Sequence, residues 1–299
     1  MGSAHGERTL ASAWSIPVPL MVDRGRFRGA LLGLAIGDAV GASVEFSPRG
    51  SFAPVIDMLG GGPFRLEAGR WTDDTSMALC LAESLIERRG MDLKDQMTRY
   101  VEWYRRGLWS SKGYCFDIGN ATRAALERFE ETGDPVAGAT GVYTAGNGSI
   151  MRLAPVVLYF AHDREAAHEA ARESSRTTHQ AEACLKACAE LAGVIWDLLR
   201  GKRPALRYRS RDEIRGSGYV VESLEAAYWA FDTAATYEEA VLKAANLGDD
   251  ADTTAAITGQ MAGAYYGIRG IPPQWRDRCY RAAEIIGLAD RLYELAPGP

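Results

Sequence analysis

Glycine recurs at every fourth position of an apolar tract, at Gly29, Gly33, Gly37 and Gly41. Phe27, Leu31 and Leu34 repeat there at helical spacing, so the glycines form one stripe along one helix. Glycine inside a helix costs up to about 1 kcal/mol relative to alanine. Four on one stripe point to a second backbone packed close against that face, and helix–helix packing is the expected arrangement.

Other helical periods run through Met77, Leu81 and Leu85, and through Leu185, Leu191, Ile195 and Leu199. Leu224, Ala227 and Phe231 form another, as do Ile257, Met261 and Tyr265. Strand-like alternation is nearly absent, and Val142–Thr144 is too short to anchor a sheet. The spacing predicts an all-α domain of ten or more helices. No linker or internal repeat divides the chain, so one domain is expected over residues 23–296. A flexible segment, 1–22, would precede it, with Met1-Gly2-Ser3 read as a tag remnant.

The 299 residues are 47% apolar and 24% charged, a globular composition. A chain of this length buries roughly 75% of its unfolded surface, so it folds without needing a disulfide or a metal. Glu7 and Arg8 interrupt the first twenty residues, which lack the apolar core of a signal peptide. Ala30–Val44 is short and carries Asp38, a poor match for ~30 Å of hydrocarbon. Net charge is −5, and no basic block marks a nucleic-acid face. These features predict a cytoplasmic monomer acting on a small or peptide-borne ligand, with neither nucleic acid nor membrane as partner. The five cysteines are scattered and odd in number, unlike a disulfide framework. Cys184 and Cys188 lie four apart downstream of His179, but no complete zinc ligand set has the usual spacing.

Two acidic cassettes stand immediately before helical periods. The first is Trp71-Thr72-Asp73-Asp74-Thr75; the second is Gly248-Asp249-Asp250-Ala251-Asp252-Thr253-Thr254. Each alone reads as a helix cap, since Asp and Thr accept bonds from free N–H groups. A cap needs one oxygen, however, and a helix end supplies only about half a charge. The surplus carboxylates and hydroxyls are hard donors of the kind Mg²⁺, Ca²⁺ or Mn²⁺ prefers. Two such clusters brought together would suit two metals about 3.5–4 Å apart. A third motif, Gly146-Asn147-Gly148-Ser149-Ile150-Met151-Arg152, offers converging N–H groups for an anion, or is an ordinary loop.

In combination these elements resemble the ADP-ribosylglycohydrolase family. The matching segments run in that family's order: Gly37-Asp38-Ala39-Val40-Gly41 with Glu45, then Thr72-Asp73-Asp74-Thr75. Asp117-Ile118-Gly119-Asn120-Ala121-Thr122 and the 146–152 motif follow. Thr178-His179, Gly216-Ser217-Gly218-Tyr219-Val220 and the second cassette complete the set, which spans about residues 24 to 268.

The resemblance implies an all-α fold with a binuclear Mg²⁺ site, or Mn²⁺, at the mouth of an ADP-ribose cleft. Carried over, Thr72, Asp73, Asp74, Asp250, Asp252 and Thr253 would be the metal ligands. Asp249 stands where family members often have glycine and is left out of that set. Glu45 and Asp117 would handle protons or position water, and Gly119, in the same segment as Asp117, would bind the substrate. Gly146, Asn147, Gly148 and Ser149 would hold the diphosphate, with Met151 beside them and Arg152 pairing with that charge or with a carboxylate. His179 would line the cleft, and Tyr219, after Ser217 and Gly218, would stack on adenine. The implied reaction is hydrolysis of the glycosidic bond between ADP-ribose and a modified protein side chain, with arginine as first choice. Serine-linked or other O-linked ADP-ribose is the alternative. A non-catalytic, crystallin-like ADP-ribose-binding role and a two-metal phosphoesterase are further readings; the retained acidic set argues against the former.

Overall fold

The computed structural model describes residues 22–296. The expected segment 1–22 lies outside these residues except for Val22, which packs in the core. Twelve α-helices are present among the described residues: α1 (Arg24–Gly41), α2 (Asp73–Arg88), α3 (Leu93–Arg106), α4 (Asn120–Thr132), α5 (Ala154–Tyr159), α6 (Arg164–Arg176), α7 (Glu182–Leu199), α8 (Val220–Asp232), α9 (Tyr237–Ala245), α10 (Ala251–Gly270), α11 (Pro273–Arg278) and α12 (Ala282–Leu295). No β-strand occurs among them, only three isolated bridges, so the all-α expectation holds.

The glycine stripe sets the centre of the fold. α1 and α10 lie antiparallel with their backbones in contact. A Cβ on Gly29 would stand 2.3 Å from the Gly263 carbonyl oxygen, and one on Gly33 2.5 Å from that of Gly259. Gly37 meets the Ala255 oxygen at 2.1 Å and Gly41 the Ala251 oxygen at 2.3 Å in the same way. The partners step by four along α10 in the reverse direction. Any side chain on this stripe would force the helices apart, which explains the glycines despite their helix penalty. Helices α2, α5, α9 and α12 pack around α1, and α7, α8 and α9 around α10.

By length and composition alone, Arg24–Val44 would pass as a membrane span, but 89% of its apolar window is buried by the rest of the protein. The antiparallel pairing has a second consequence: the C-terminal end of α1 lies against the N-terminal end of α10, where the second acidic cassette begins.

Candidate active site

Two carboxylates from outside the cassettes cap the cassette helices. Asp38, on α1, accepts from the Thr72 backbone N–H at 2.9 Å and the Thr75 N–H at 3.0 Å, at the start of α2. It also accepts from the Thr72 and Thr75 hydroxyls at 2.9 and 2.6 Å. Glu45, just past α1, accepts through Oε2 from the Ala251 and Asp252 N–H groups at 2.8 and 3.2 Å, at the start of α10. Thr72 and Asp250, at the N-cap positions, make no capping bond with their own side chains. The cap reading of the cassettes is thus incomplete: Asp38 and Glu45 supply the main caps of both helices, and among the cassette carboxylates Asp252 Oδ1 takes the Thr253 N–H at 2.7 Å while the rest face one another rather than the helix ends.

Those oxygens converge. Carboxylate oxygens of Asp38, Asp74 and Asp252 lie within 4.8 Å of one another, as do those of Glu45, Asp250 and Asp252, and those of Asp73, Asp117 and Asp252. Asp252 belongs to all three groups. Thr72 Oγ1 lies 3.2 Å from Asp74 Oδ2 and 3.0 Å from Asp252 Oδ2, tying the two cassettes directly. Thr253 Oγ1 reaches Asp74 Oδ2 at 3.5 Å. Burial first, then repulsion by neighbouring carboxylates, raises Glu45, Asp73, Asp74 and Asp117 well above the usual range and brings Asp38 and Asp250 to about 7. No ion pair to these acids occurs among the described residues. Asp74 Oδ1 is buried with no hydrogen-bond partner at all.

The acids form one end of a cleft of about 500 Å³. Gly146, Asn147, Gly148, Met151, His179 and Gly218 continue its wall. Asn147 joins the two groups, donating from Nδ2 to Asp250 Oδ2 and to Ser223 Oγ, both at 2.7 Å. Gln260 of α10 holds the chain after the glycine loop, donating to the Ile150 and Met151 carbonyls at 3.1 and 2.8 Å.

Behind the loop lies a relay that defines His179. Arg152 is fully buried and donates to the Gly148 carbonyl at 2.8 Å and to Thr178 Oγ1 at 2.6 Å. Thr178 Oγ1 lies 2.8 Å from His179 Nδ1. That hydroxyl can accept from the guanidinium and donate its own proton to Nδ1 at the same time. In that pairing the ring proton sits on Nε2, beside Gly146 and Gly148 and facing the cleft. Burial and the nearby Arg152 lower the imidazole to about 3, so it stays neutral near pH 7. His179 is built as a hydrogen-bond donor to an anionic ligand.

Comparison with known proteins agrees with this geometry. The ADP-ribosylglycohydrolase family model matches residues 21–299. The chain belongs to the ADP-ribosylglycohydrolase family. It is 46% identical to the ADP-ribosylarginine hydrolase Tri1 of Pseudomonas putida (strain GB-1), over 91% of this chain and 79% of that one. It is 31% identical to the ADP-ribosyl-[dinitrogen reductase] glycohydrolase of Rhodospirillum rubrum, over 91% and 96% of the two chains. A solved structure described as an ADP-ribosylglycohydrolase-related protein complex superposes with a TM-score of 0.81 at 43% identity, covering 92% of this chain and 99% of that one.

The residues of this ADP-ribosylglycohydrolase fit a cation. Hard oxygen donors converge from two helix ends, no base balances them, and Asp74 Oδ1 is left orphaned. Glu45, Asp73, Asp117, Gly119, Asp250, Asp252 and Thr253 line the cleft, while Thr72 and Asp74 are fully buried. Arg152 requires a correction. Its guanidinium neither lines the cleft nor meets a carboxylate; it stacks on Tyr100, 4.7 Å from the ring centroid, and acts from behind Gly148. Ser149 and Ser217 also stand outside the lining. Cys188 donates to Ser149 Oγ, and Ser217 donates to Glu222. Tyr219, expected to stack on adenine, is 45% exposed and also outside the lining, one residue past the lining Gly218. Cys184 and Cys188 support the glycine loop, with Cys184 donating to the Gly146 carbonyl at 3.3 Å.

Sequence spacing did not single out Asp38 as a site residue. Its signals were a lone carboxylate inside the glycine-striped apolar helix and its place in the Gly37–Gly41 segment of the family resemblance, which gave it no role. Phe46, Ile118, Asn120, Ala121 and Thr122 also line the cleft and carried no separate signal.

Proposed function

We propose that this cleft hydrolyses the glycosidic bond joining ADP-ribose to an arginine side chain of a modified protein, releasing ADP-ribose and unmodified arginine. The observation that carries the reading is the convergence of three carboxylate groups on Asp252, with both helix ends capped from elsewhere. The 46% identity to an ADP-ribosylarginine hydrolase supports arginine as the linkage.

Thr72, Asp73, Asp74, Asp250, Asp252 and Thr253 would hold two divalent cations, Mg²⁺ or Mn²⁺. When bound, such ions fix ribose hydroxyls and lower the pKa of water. The protein groups supply the remainder. The glycine loop offers its backbone, and His179 its Nε2–H, to the diphosphate. Glu45 has Oε2 anchored to the N–H groups of α10, which leaves Oε1 to accept a proton from attacking water. Asp117, in left-handed backbone at φ 55°, is held facing Asp73 and Asp252 across the same end of the cleft. It is placed to deliver a proton to the departing guanidino nitrogen. Water adds at the anomeric carbon and gives its proton to Glu45, the carbon–nitrogen bond breaks, and the neutral guanidine that departs takes the Asp117 proton and leaves as the guanidinium of arginine.

Mass-spectrometric product analysis with an arginine-linked ADP-ribosyl peptide tests the reading. Turnover should stop in EDTA and return with Mg²⁺. Glu45→Gln should lower the rate by roughly 10²–10⁴-fold with a smaller change in ADP-ribose affinity. Full turnover by exhaustively chelated protein would refute the metal assignment, and near-native turnover by Glu45→Gln would refute its proton role.

A further inference from the structure

The two acid–base candidates are each flanked by an aromatic residue: Phe46 follows Glu45, and Phe116 precedes Asp117. In the fold these rings join into a ridge that leads away from Phe46, the one of them that lines the cleft. Ring centroids of Phe46 and Phe64 are 6.1 Å apart, those of Phe64 and Phe116 5.3 Å, and those of Phe116 and Tyr114 6.2 Å. Phe46 is 64% exposed while lining the cleft. Its backbone is left-handed at φ 60°, an uncommon conformation for a bulky residue, and one that clusters at functional positions. A bond from its N–H to the Asp249 carbonyl at 2.7 Å holds it, and the Glu45 carboxylate anchors the preceding residue to α10. The ring is thus displayed on a fixed support rather than packed into the core.

Charge and geometry identify what this surface receives. Glu45, Asp73, Asp117 and Asp250 surround one end of the cleft, and no lysine or arginine lines it. The far part of the ridge already carries a cation: Lys112 Nζ lies 5.4 and 5.1 Å from the centroids of Tyr114 and Phe116. Phe46 has no such partner among the described residues. An exposed aromatic face beside clustered carboxylates favours a planar cation, and guanidinium stacks on such faces better than an ammonium does.

We propose that Phe46, backed by Phe64 and Phe116, is the platform on which the guanidinium of the substrate's arginine stacks, and that the ridge toward Tyr114 seats the flanking peptide. The inference rests on the arginine reading of the proposed function and makes Phe46 a specificity-determining residue. A serine linkage offers neither a plane nor a charge to this ring. Adenine, the other planar group of the substrate, is assigned to Tyr219, beyond the glycine loop that receives the diphosphate.

Three variants test the assignment: Phe46→Ala, Phe46→Leu and Phe46→Trp. Each is compared with the wild type on arginine-linked and serine-linked ADP-ribosyl peptides, with ADP-ribose binding measured by calorimetry and folding by circular dichroism. The exposed position leaves the core untouched in all three. The alanine and leucine variants should lose about 5–30-fold in kcat/KM on the arginine-linked peptide, with ADP-ribose affinity changed less than about twofold. Tryptophan should restore activity, because it restores the aromatic face. An equal loss of ADP-ribose affinity would overturn the proposal by assigning the ring to the nucleotide. So would an unchanged kcat/KM, or a tryptophan variant as poor as the alanine one. Wild-type protein that leaves the arginine-linked peptide intact would instead overturn the proposed function, and that failure is visible before any variant is made.

Discussion

Replacing Gly41 by alanine should damage the site from a distance of one helix packing. The added Cβ would stand 2.3 Å from the Ala251 carbonyl oxygen and 2.5 Å from the Asp252 Cα. Ordinary contact lies near about 3.5 Å, so α1 and the start of α10 must separate by about 1 Å. Both offending atoms are backbone, and no rotamer change relieves the clash. Alanine gains up to about 1 kcal/mol of helix propensity, but overpacking costs about 1–3 kcal/mol or more. The expected net loss of about 1–2 kcal/mol lowers Tm by roughly 2–6 °C for a domain of this size. The larger effect falls on function. Asp252 is shared by all three carboxylate groups, and Glu45 is bonded to its N–H. A 1 Å misplacement of such a group can cost about 10²-fold in rate. The control is Gly287→Ala in α12, where the new Cβ meets nothing within 4 Å and should stabilise slightly. Differential scanning calorimetry, Mg²⁺ titration and turnover on an arginine-linked peptide read the three consequences. A Gly41→Ala protein as stable as Gly287→Ala, with native turnover, would show that the α1–α10 approach does not position the site.

Further outcomes follow from the same structure. Because the carboxyls of Asp38 and Asp250 are raised to about 7 by burial and by Asp252, the folded metal-free protein binds more protons than the unfolded chain; its stability should fall as pH rises from about 4 through about 7. The Tm increment from added Mg²⁺ should therefore grow over that window, and an increment that is flat with pH would contradict it. Asp252→Asn should abolish metal-dependent stabilisation while retaining the helical circular-dichroism spectrum. Thr178→Val removes the proton donated to His179 Nδ1 and an acceptor for Arg152, costing about 1–3 kcal/mol; Thr178→Ser should restore both stability and ADP-ribose affinity. Nitrogen NMR of the wild type should show His179 protonated at Nε2, and an Nδ1–H form would break the relay. Tyr219→Ala should weaken ADP-ribose binding by the loss of stacking worth on the order of 1–3 kcal/mol, measurable by calorimetry.

The sequence by itself determined the helical class, because periods such as Met77, Leu81 and Leu85 are local and survive any packing. It also determined the chemical types at the site, since surplus carboxylates before two helices are visible without coordinates. It showed that α1 needed a close backbone partner. Which backbone, and in which register, only the tertiary structure decided. The reason is that Gly33 and Gly259 are far apart in the chain, and spacing within one helix carries no information about its partner. Asp38 illustrates the same limit. In sequence it is a polar interruption of an apolar helix; in the fold it caps α2 through Thr72 and Thr75. Arg152 shows the reverse case. Beside a glycine loop an arginine reads as an anion ligand, but the turn that presents Gly148 directs the guanidinium inward, onto Thr178 and Tyr100. Side-chain direction at such a turn depends on what lies behind it, and that is a property of packing rather than of residue type.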